Sequence, residues 1–228
     1  MKMKNNIVIV KEEEFNVFSS NFIKEKLEAL SNKRVINVAL SGGSTPLPIL
    51  KILRKAKLNW DDFNFFLVDE RVVELNSNEC NYKNINEIFY RFISSKSFSI
   101  VKEKLTLDEM VLDYEKKIKE HLPLSEKNQP RFDIIILGMG EDGHTASLFP
   151  NTSALNEIKH SVVKNYVPQI NSNRVTLTYP VLFNADQLIV LVKGEKKIKI
   201  VEEIMGENDS NYPISKLKNS KIKWIIGK

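Results

Sequence analysis

The chain has 228 residues, 42% of them hydrophobic and 28% charged, with a net charge of +5. That balance suits a folded core and excludes a disordered or fibrous chain. The single cysteine, Cys80, excludes an intrachain disulfide framework and fits a reducing compartment.

The basic excess is interspersed with acids, as in Glu115-Lys116-Lys117-Ile118-Lys119-Glu120. With no long basic tract and no array of stacking aromatics, nucleic acid is not an expected partner. No apolar run is long enough for a signal-peptide core or a bilayer span, so no membrane is expected and the expected setting is the cytoplasm.

A first strand starts by Ile7. Residues 12–32 set Phe15, Phe18, Phe22 and Leu30 near a helical stripe. Arg34 to Leu40 reads as a strand, Pro46 to Lys57 as a helix, and Phe63 to Val68 as a second strand. Asn84 to Ile93 and Leu105 to Leu122 read as helices. Pro123 to Pro130 is a polar loop with two prolines. Ile134 to Leu137 is a short apolar run suited to a buried parallel strand. Arg174 to Thr178 alternates like a strand, and Leu188 to Val192 is strongly apolar. Glu195 to Met205 should be helical, and Lys221 to Ile226 should form a last strand. Strands alternating with helices predict one α/β domain over residues 1–228, a mostly parallel sheet covered on both faces. The pattern also leaves room for a small inserted lobe.

Three constellations carry chemistry. In Leu137-Gly-Met-Gly-Glu-Asp-Gly-His144, a buried strand ends in Gly138, Gly140 and Gly143, with Asp142 and His144 in the same turn. Open α/β sheets bind ligands beyond their carboxyl strand ends, and histidine suits proton transfer near neutral pH. In Ser41-Gly42-Gly43-Ser44-Thr45-Pro46, a strand enters a glycine turn and leaves as a helix. Thr45 is a candidate N-cap and Pro46 suits the first helical position. Free amides there, with the Ser44 and Thr45 hydroxyls, would cradle an anion. The third run, Asp69-Glu70-Arg71, again leaves a buried strand. Either Asp69 and Arg71 form a structural ion pair, or Arg71 forks onto a ligand carboxylate or phosphate. Asn81 adds an amide donor. Arg174 and Lys197 are cations near later strand ends. The three histidines, His121, His144 and His160, lack metal-ligand spacing, and there is no Gly-x-Ser-x-Gly elbow.

Ser41 to Pro46, Asp69-Glu70-Arg71 with Asn81-Tyr82, and Gly138 to Pro150 resemble the three signature blocks of the 6-phosphogluconolactonase family, in order and spacing. Arg174-Val-Thr-Leu-Thr and Gly194-Glu-Lys-Lys197 resemble its weaker C-terminal blocks. The family usually has proline at Glu74 and serine at Cys80, and closes on Trp-Phe-Leu-Asp where this chain has Trp224-Ile-Ile-Gly227. The resemblance implies a fold similar to glucosamine-6-phosphate deaminase and ribose-5-phosphate isomerase. It also implies hydrolysis of 6-phospho-D-glucono-1,5-lactone. Activated water, a general base and charge stabilisation suffice for a lactone, so neither metal nor cofactor is expected. His144 would be the base. Asp142 or Asp69 would orient water or imidazole, and Arg71 or loop amides would meet the developing oxyanion. Gly42, Gly43, Ser44, Thr45, Asn81, Gly140, Arg174 and Lys197 would hold phosphate and sugar. The expected partner is a small sugar-phosphate lactone, and the enzyme a monomer or small homo-oligomer. A deaminase would typically continue Asp-Gly-His to Phe-Asn-Glu-Pro, where this chain has Ser147-Leu-Phe-Pro150. A sugar-phosphate sensor would carry an added DNA-binding domain, for which a strand starting by Ile7 leaves no room at the N-terminus.

Overall fold

In the computed structural model the described residues form ten strands and six helices, and the strands of the main sheet alternate with helices as the sequence predicts. The strands Asp69–Arg71, Lys96–Phe98 and Val162–Val167 and the helix Tyr179–Asn184 have no counterpart among the predicted elements. The structure describes residues 6–30, 35–206, 211–217 and 221–228. The strands are β1 (Ile7–Val10), β2 (Ile36–Leu40), β3 (Phe63–Leu67), β4 (Asp69–Arg71), β5 (Lys96–Phe98), β6 (Ile134–Leu137), β7 (Val162–Val167), β8 (Ser172–Leu177), β9 (Gln187–Lys193) and β10 (Ile222–Gly227). The helices are α1 (Phe15–Glu28), α2 (Pro46–Leu53), α3 (Asn81–Ile88), α4 (Leu107–His121), α5 (Tyr179–Asn184) and α6 (Glu195–Met205).

Seven strands form a parallel sheet in the order β1-β10-β9-β6-β2-β3-β5. Every residue of β2, β3 and β6 is buried, as strands covered on both faces must be. From β2 the chain winds outward through β3 to β5. It then returns to β6 and winds the other way through β9 and β10. The crevice between the carboxyl ends of β2 and β6 is therefore the topological switch point, where such sheets bind ligands. Ser41 to Thr45 follow β2, and the Gly138 to His144 turn follows β6.

The core reaches Trp224 on β10, Phe65 and Phe66 on β3 and Tyr114 on α4, all buried to 1% exposure or less. Burying each such side chain contributes roughly 1.5–3 kcal/mol. The Tyr114 hydroxyl accepts the Leu67 amide at 2.6 Å and donates to the Leu67 carbonyl at 2.7 Å. It satisfies its own buried hydroxyl and pins α4 to the end of β3, just before Asp69. α4 starts with a capping box in which Thr106 and Glu109 bond reciprocally.

Predicted and observed elements differ in several places. The strand Arg34 to Leu40 is described from Ile36. Arg34, and residues 31–32 of the first helical stretch, lie outside the described residues. The helix predicted over Asn84 to Ile93 instead spans Asn81–Ile88 and breaks at Phe89, followed by a short 3-10 turn over Tyr90–Phe92. The helix from Pro46 stops at Leu53 rather than Lys57. A second sheet, β4-β8-β7, is antiparallel and lies apart from the first. It had room in the sequence reading only as a small lobe, and β4, β5 and β7 were not among the predicted strands. β4 and β5 have three residues each, too few for periodicity. β7 turns Asn165 inward, which breaks its apolar alternation. Asn165 Nδ2 donates to the Ser147 carbonyl at 2.8 Å and to Thr152 Oγ1 at 2.9 Å, so the inward amide is bonded.

Candidate active site

The three motif loops meet in one cleft of about 410 Å³ at the carboxyl ends of the parallel strands. Gly42 to Thr45, Asp69, Arg71, Asn81, Gly140, His144, Arg174 and Lys197 all line it. Asp142 does not line the cleft and instead backs His144.

His144 is held from two sides. Its Nδ1 lies 2.5 Å from Asp142 Oδ1. Its ring stacks on Phe149, with centroids 3.8 Å apart. A carboxylate partner assigns the proton to Nδ1, which leaves Nε2 with a lone pair. Nε2 has no protein partner among the described residues. Burial alone would raise the Asp142 pKa, but the bond to His144 and its charge hold it below the usual carboxylate range. Gly140 is the close approach that permits this: a Cβ there would lie 2.2 Å from His144 Nδ1. The Gly140 amide donates to the His144 carbonyl at 2.9 Å, which closes the turn.

Asp69 is buried, and its Oδ2 accepts the Ser147 hydroxyl at 2.6 Å. Arg71 Nη1 donates to the Glu79 carbonyl at 2.7 Å. The structural ion pair between Asp69 and Arg71 is thus replaced, among the described residues, by separate partners for each. Between them, Glu70 is fully buried and accepts backbone amides. Burial pushes its pKa up, and the Asn81, Tyr82 and Arg71 amides pull it back.

The antiparallel register sets Arg71 directly opposite Arg174. Like charges facing across strands are destabilising. Burial, and then the Arg71 charge, lower the Arg174 pKa. Two facing guanidiniums in a cleft form a seat for an anion. Lys197 opens into the cleft from the first turn of α6, and no ion pair holds it among the described residues. Its neighbour Lys196 pairs with Glu141 at 2.8 Å.

Thr45 occupies the cap position of α2, but its side chain makes no cap hydrogen bond. At the start of α3, Asn81 Nδ2 donates to the Asp69 carbonyl at 3.0 Å. Gly42 gives it room, since a Cβ there would fall 2.0 Å from Asn81 Oδ1. Cys80 caps α3: its Sγ accepts the Lys83 amide and donates to Glu70, both at 3.5 Å. Among the described residues, no group of three or more His, Cys, Asp or Glu side chains is placed to hold a metal. No described helix is long and apolar enough to cross a membrane.

Sequence reasoning did not single out Glu70, Ser147 or Phe149 as supports. An acid leaving a buried strand was the available signal for Glu70. Nothing local marked the other two.

The family model described as glucosamine-6-phosphate isomerases/6-phosphogluconolactonase matches residues 11–226. A 6-phosphogluconolactonase of Chlamydia pneumoniae is 36% identical over 91% of this chain and 81% of its own length. The chain belongs to the 6-phosphogluconolactonase family. The crystal structure of the Thermotoga maritima 6-phosphogluconolactonase superposes with a TM-score of 0.86 and 30% identity, covering 97% of this chain and 99% of that one. A monomeric glucosamine-6-phosphate deaminase shares the fold at a TM-score of 0.79 and 19% identity, covering 98% of this chain and 97% of that one.

Proposed function

We propose that the chain hydrolyses 6-phospho-D-glucono-1,5-lactone to 6-phospho-D-gluconate, the second step of the oxidative pentose phosphate pathway. The observation that carries this reading is His144 Nδ1 at 2.5 Å from Asp142, in a cleft that also holds two facing arginines. Residues 1–228 work as one lactonase domain. The buried lone thiol of Cys80 fits the reducing cytoplasm.

The sugar phosphate lies with its 6-phosphate on Arg71 and Arg174, joined by the amides and hydroxyls of residues 42–45 and by Lys197. His144 Nε2 takes a proton from water as the water oxygen bonds to C1. The carbonyl pair moves onto the exocyclic oxygen, where amides of the loop after β6 meet the charge. Asp142 steadies the imidazolium, and Asp69 orients the water. As the carbonyl re-forms, the C1–O5 bond breaks and O5 takes the proton back from His144. The acid product then ionises. No metal or covalent nucleophile takes part.

The test is hydrolysis of the lactone by exhaustively chelated enzyme, followed as acid release against the spontaneous background. Full-rate turnover without added metal is expected. A rate no higher than background, or one restored only by zinc or magnesium, overturns the mechanism. Ammonia release from glucosamine 6-phosphate would point instead to the deaminase branch of the fold.

A further inference from the structure

Glu70 is a fully buried carboxylate flanked by two residues that line the cleft. Donors surround both of its oxygens. Oε1 accepts the amides of Arg71 and Asn81, each at 2.8 Å. Oε2 accepts the Tyr82 amide at 2.8 Å and faces the Cys80 thiol at 3.5 Å. Asn81 and Tyr82 open α3, where amides have no partner inside the helix and the dipole is positive. A carboxylate removed from water needs such partners.

These bonds close the chain between residues 71 and 81 onto one point. Within the closed segment Arg71 Nη1 reaches the Glu79 carbonyl, and from its end Asn81 Nδ2 reaches back to the Asp69 carbonyl. Arg71 and Asn81 both line the cleft, so their relative placement depends on a side chain that does not, whereas the Asp69 carboxylate is held separately by Ser147. Resting on the sugar-phosphate reading above, we infer that Glu70 is a positioning residue. Through the amides of Arg71 and Asn81 it sets where the guanidinium and the carboxamide meet the substrate.

Glutamine cannot take its place. Its amide nitrogen is a donor, and both oxygen positions already receive donors, so one N–H would face another. His144 and Asp142 stand on the β6 loop, outside this set of bonds, so the chemical step should survive. A role in folding alone makes a different prediction: lower stability, fewer active molecules and an unchanged KM.

The experiment compares Glu70→Gln and Glu70→Asp with wild type, each checked for fold by circular dichroism and thermal unfolding. Initial rates are measured across lactone concentration. Glu70→Gln should raise KM about tenfold or more, the loss of a charge-assisted contact, with kcat within roughly threefold. Glu70→Asp keeps the charge on a shorter arm and should fall between. Added to Arg71→Ala, the Gln change should raise KM much less, because the group it positions is gone. An unchanged KM in a folded variant overturns the inference, as does a fall in kcat alone. If Glu70→Gln does not fold, Glu70→Asp decides. Wild type is assayed first. A wild type without lactonase activity overturns the functional reading only, and calorimetric affinity for inorganic phosphate, wild type against variant, then decides the role of Glu70.

Discussion

Replacing Arg174 with alanine should weaken binding of 6-phosphogluconate while leaving the ligand-free protein about as stable as before. Arg174 is 7% exposed and stands opposite Arg71 in the β4/β8 register. A like-charge pair across strands costs about 0.2–1 kcal/mol, and alanine removes that cost. Alanine also removes the bond from Arg174 Nε to Ser172 Oγ at 3.2 Å. Such a bond is worth roughly 0.5–1.5 kcal/mol. The two effects oppose, so the net change should lie within about 1 kcal/mol, or roughly 2–4 °C in Tm for a chain of this size. The ligand-bound state has no such cancellation. A charge-assisted contact to phosphate is worth about 1.5–3 kcal/mol, or roughly ten- to a hundredfold in Kd. Gluconate has no phosphate and should bind wild type and variant alike. Calorimetric titration of both ligands at fixed ionic strength, with Tm measured free and saturated, reads every quantity. Lys197→Ala should act in the same direction and more weakly, because an ammonium lacks the bidentate fork. Equal losses for the two ligands, or a large drop in the free Tm, would refute the assignment and make Arg174 a structural residue.

His144→Gln should lower kcat by roughly 10²- to 10⁴-fold with little change in 6-phosphogluconate affinity; near-normal turnover in the folded variant removes it as the base. The folded Asp142 pKa is lowered from 3.8, so the stability it contributes is complete above that value and is lost as pH falls through the lowered one. The urea midpoints of wild type and Asp142→Asn should therefore differ at neutral pH and converge in acid, and a gap that persists at the lowest pH contradicts this. Cys80→Ser places a stronger capping acceptor at the start of α3 and should raise stability by about 0.5–1 kcal/mol, read from the urea midpoint. A lower midpoint would mean that the thiol's packing outweighs its capping.

The sequence by itself determined the parallel sheet and the two glycine turns at its switch point, and it offered Asp142, beside Asp69, as a partner for His144. These are local features. Ile134 to Leu137 is apolar throughout because the strand is buried on both faces, and only one residue, Gly143, separates the histidine from its carboxylate. Even the bounds of β6 and α6 were legible, since apolar runs and helical periodicity are written over a few neighbouring residues. Tertiary structure alone decided which cations face each other and what holds the acids. Arg71 meets Arg174 only through the register of a three-residue strand too short to show in any pattern. Ser147 reaches Asp69 across 78 residues, and the inward Asn165 that hid β7 is bonded to that same segment. Glu70 read as one charge in a run of three until α3 supplied its donors. Periodicity and turn chemistry are properties of adjacent residues, whereas a buried carboxylate or a facing charge pair is settled by which distant backbone groups the packed core brings within hydrogen-bond reach.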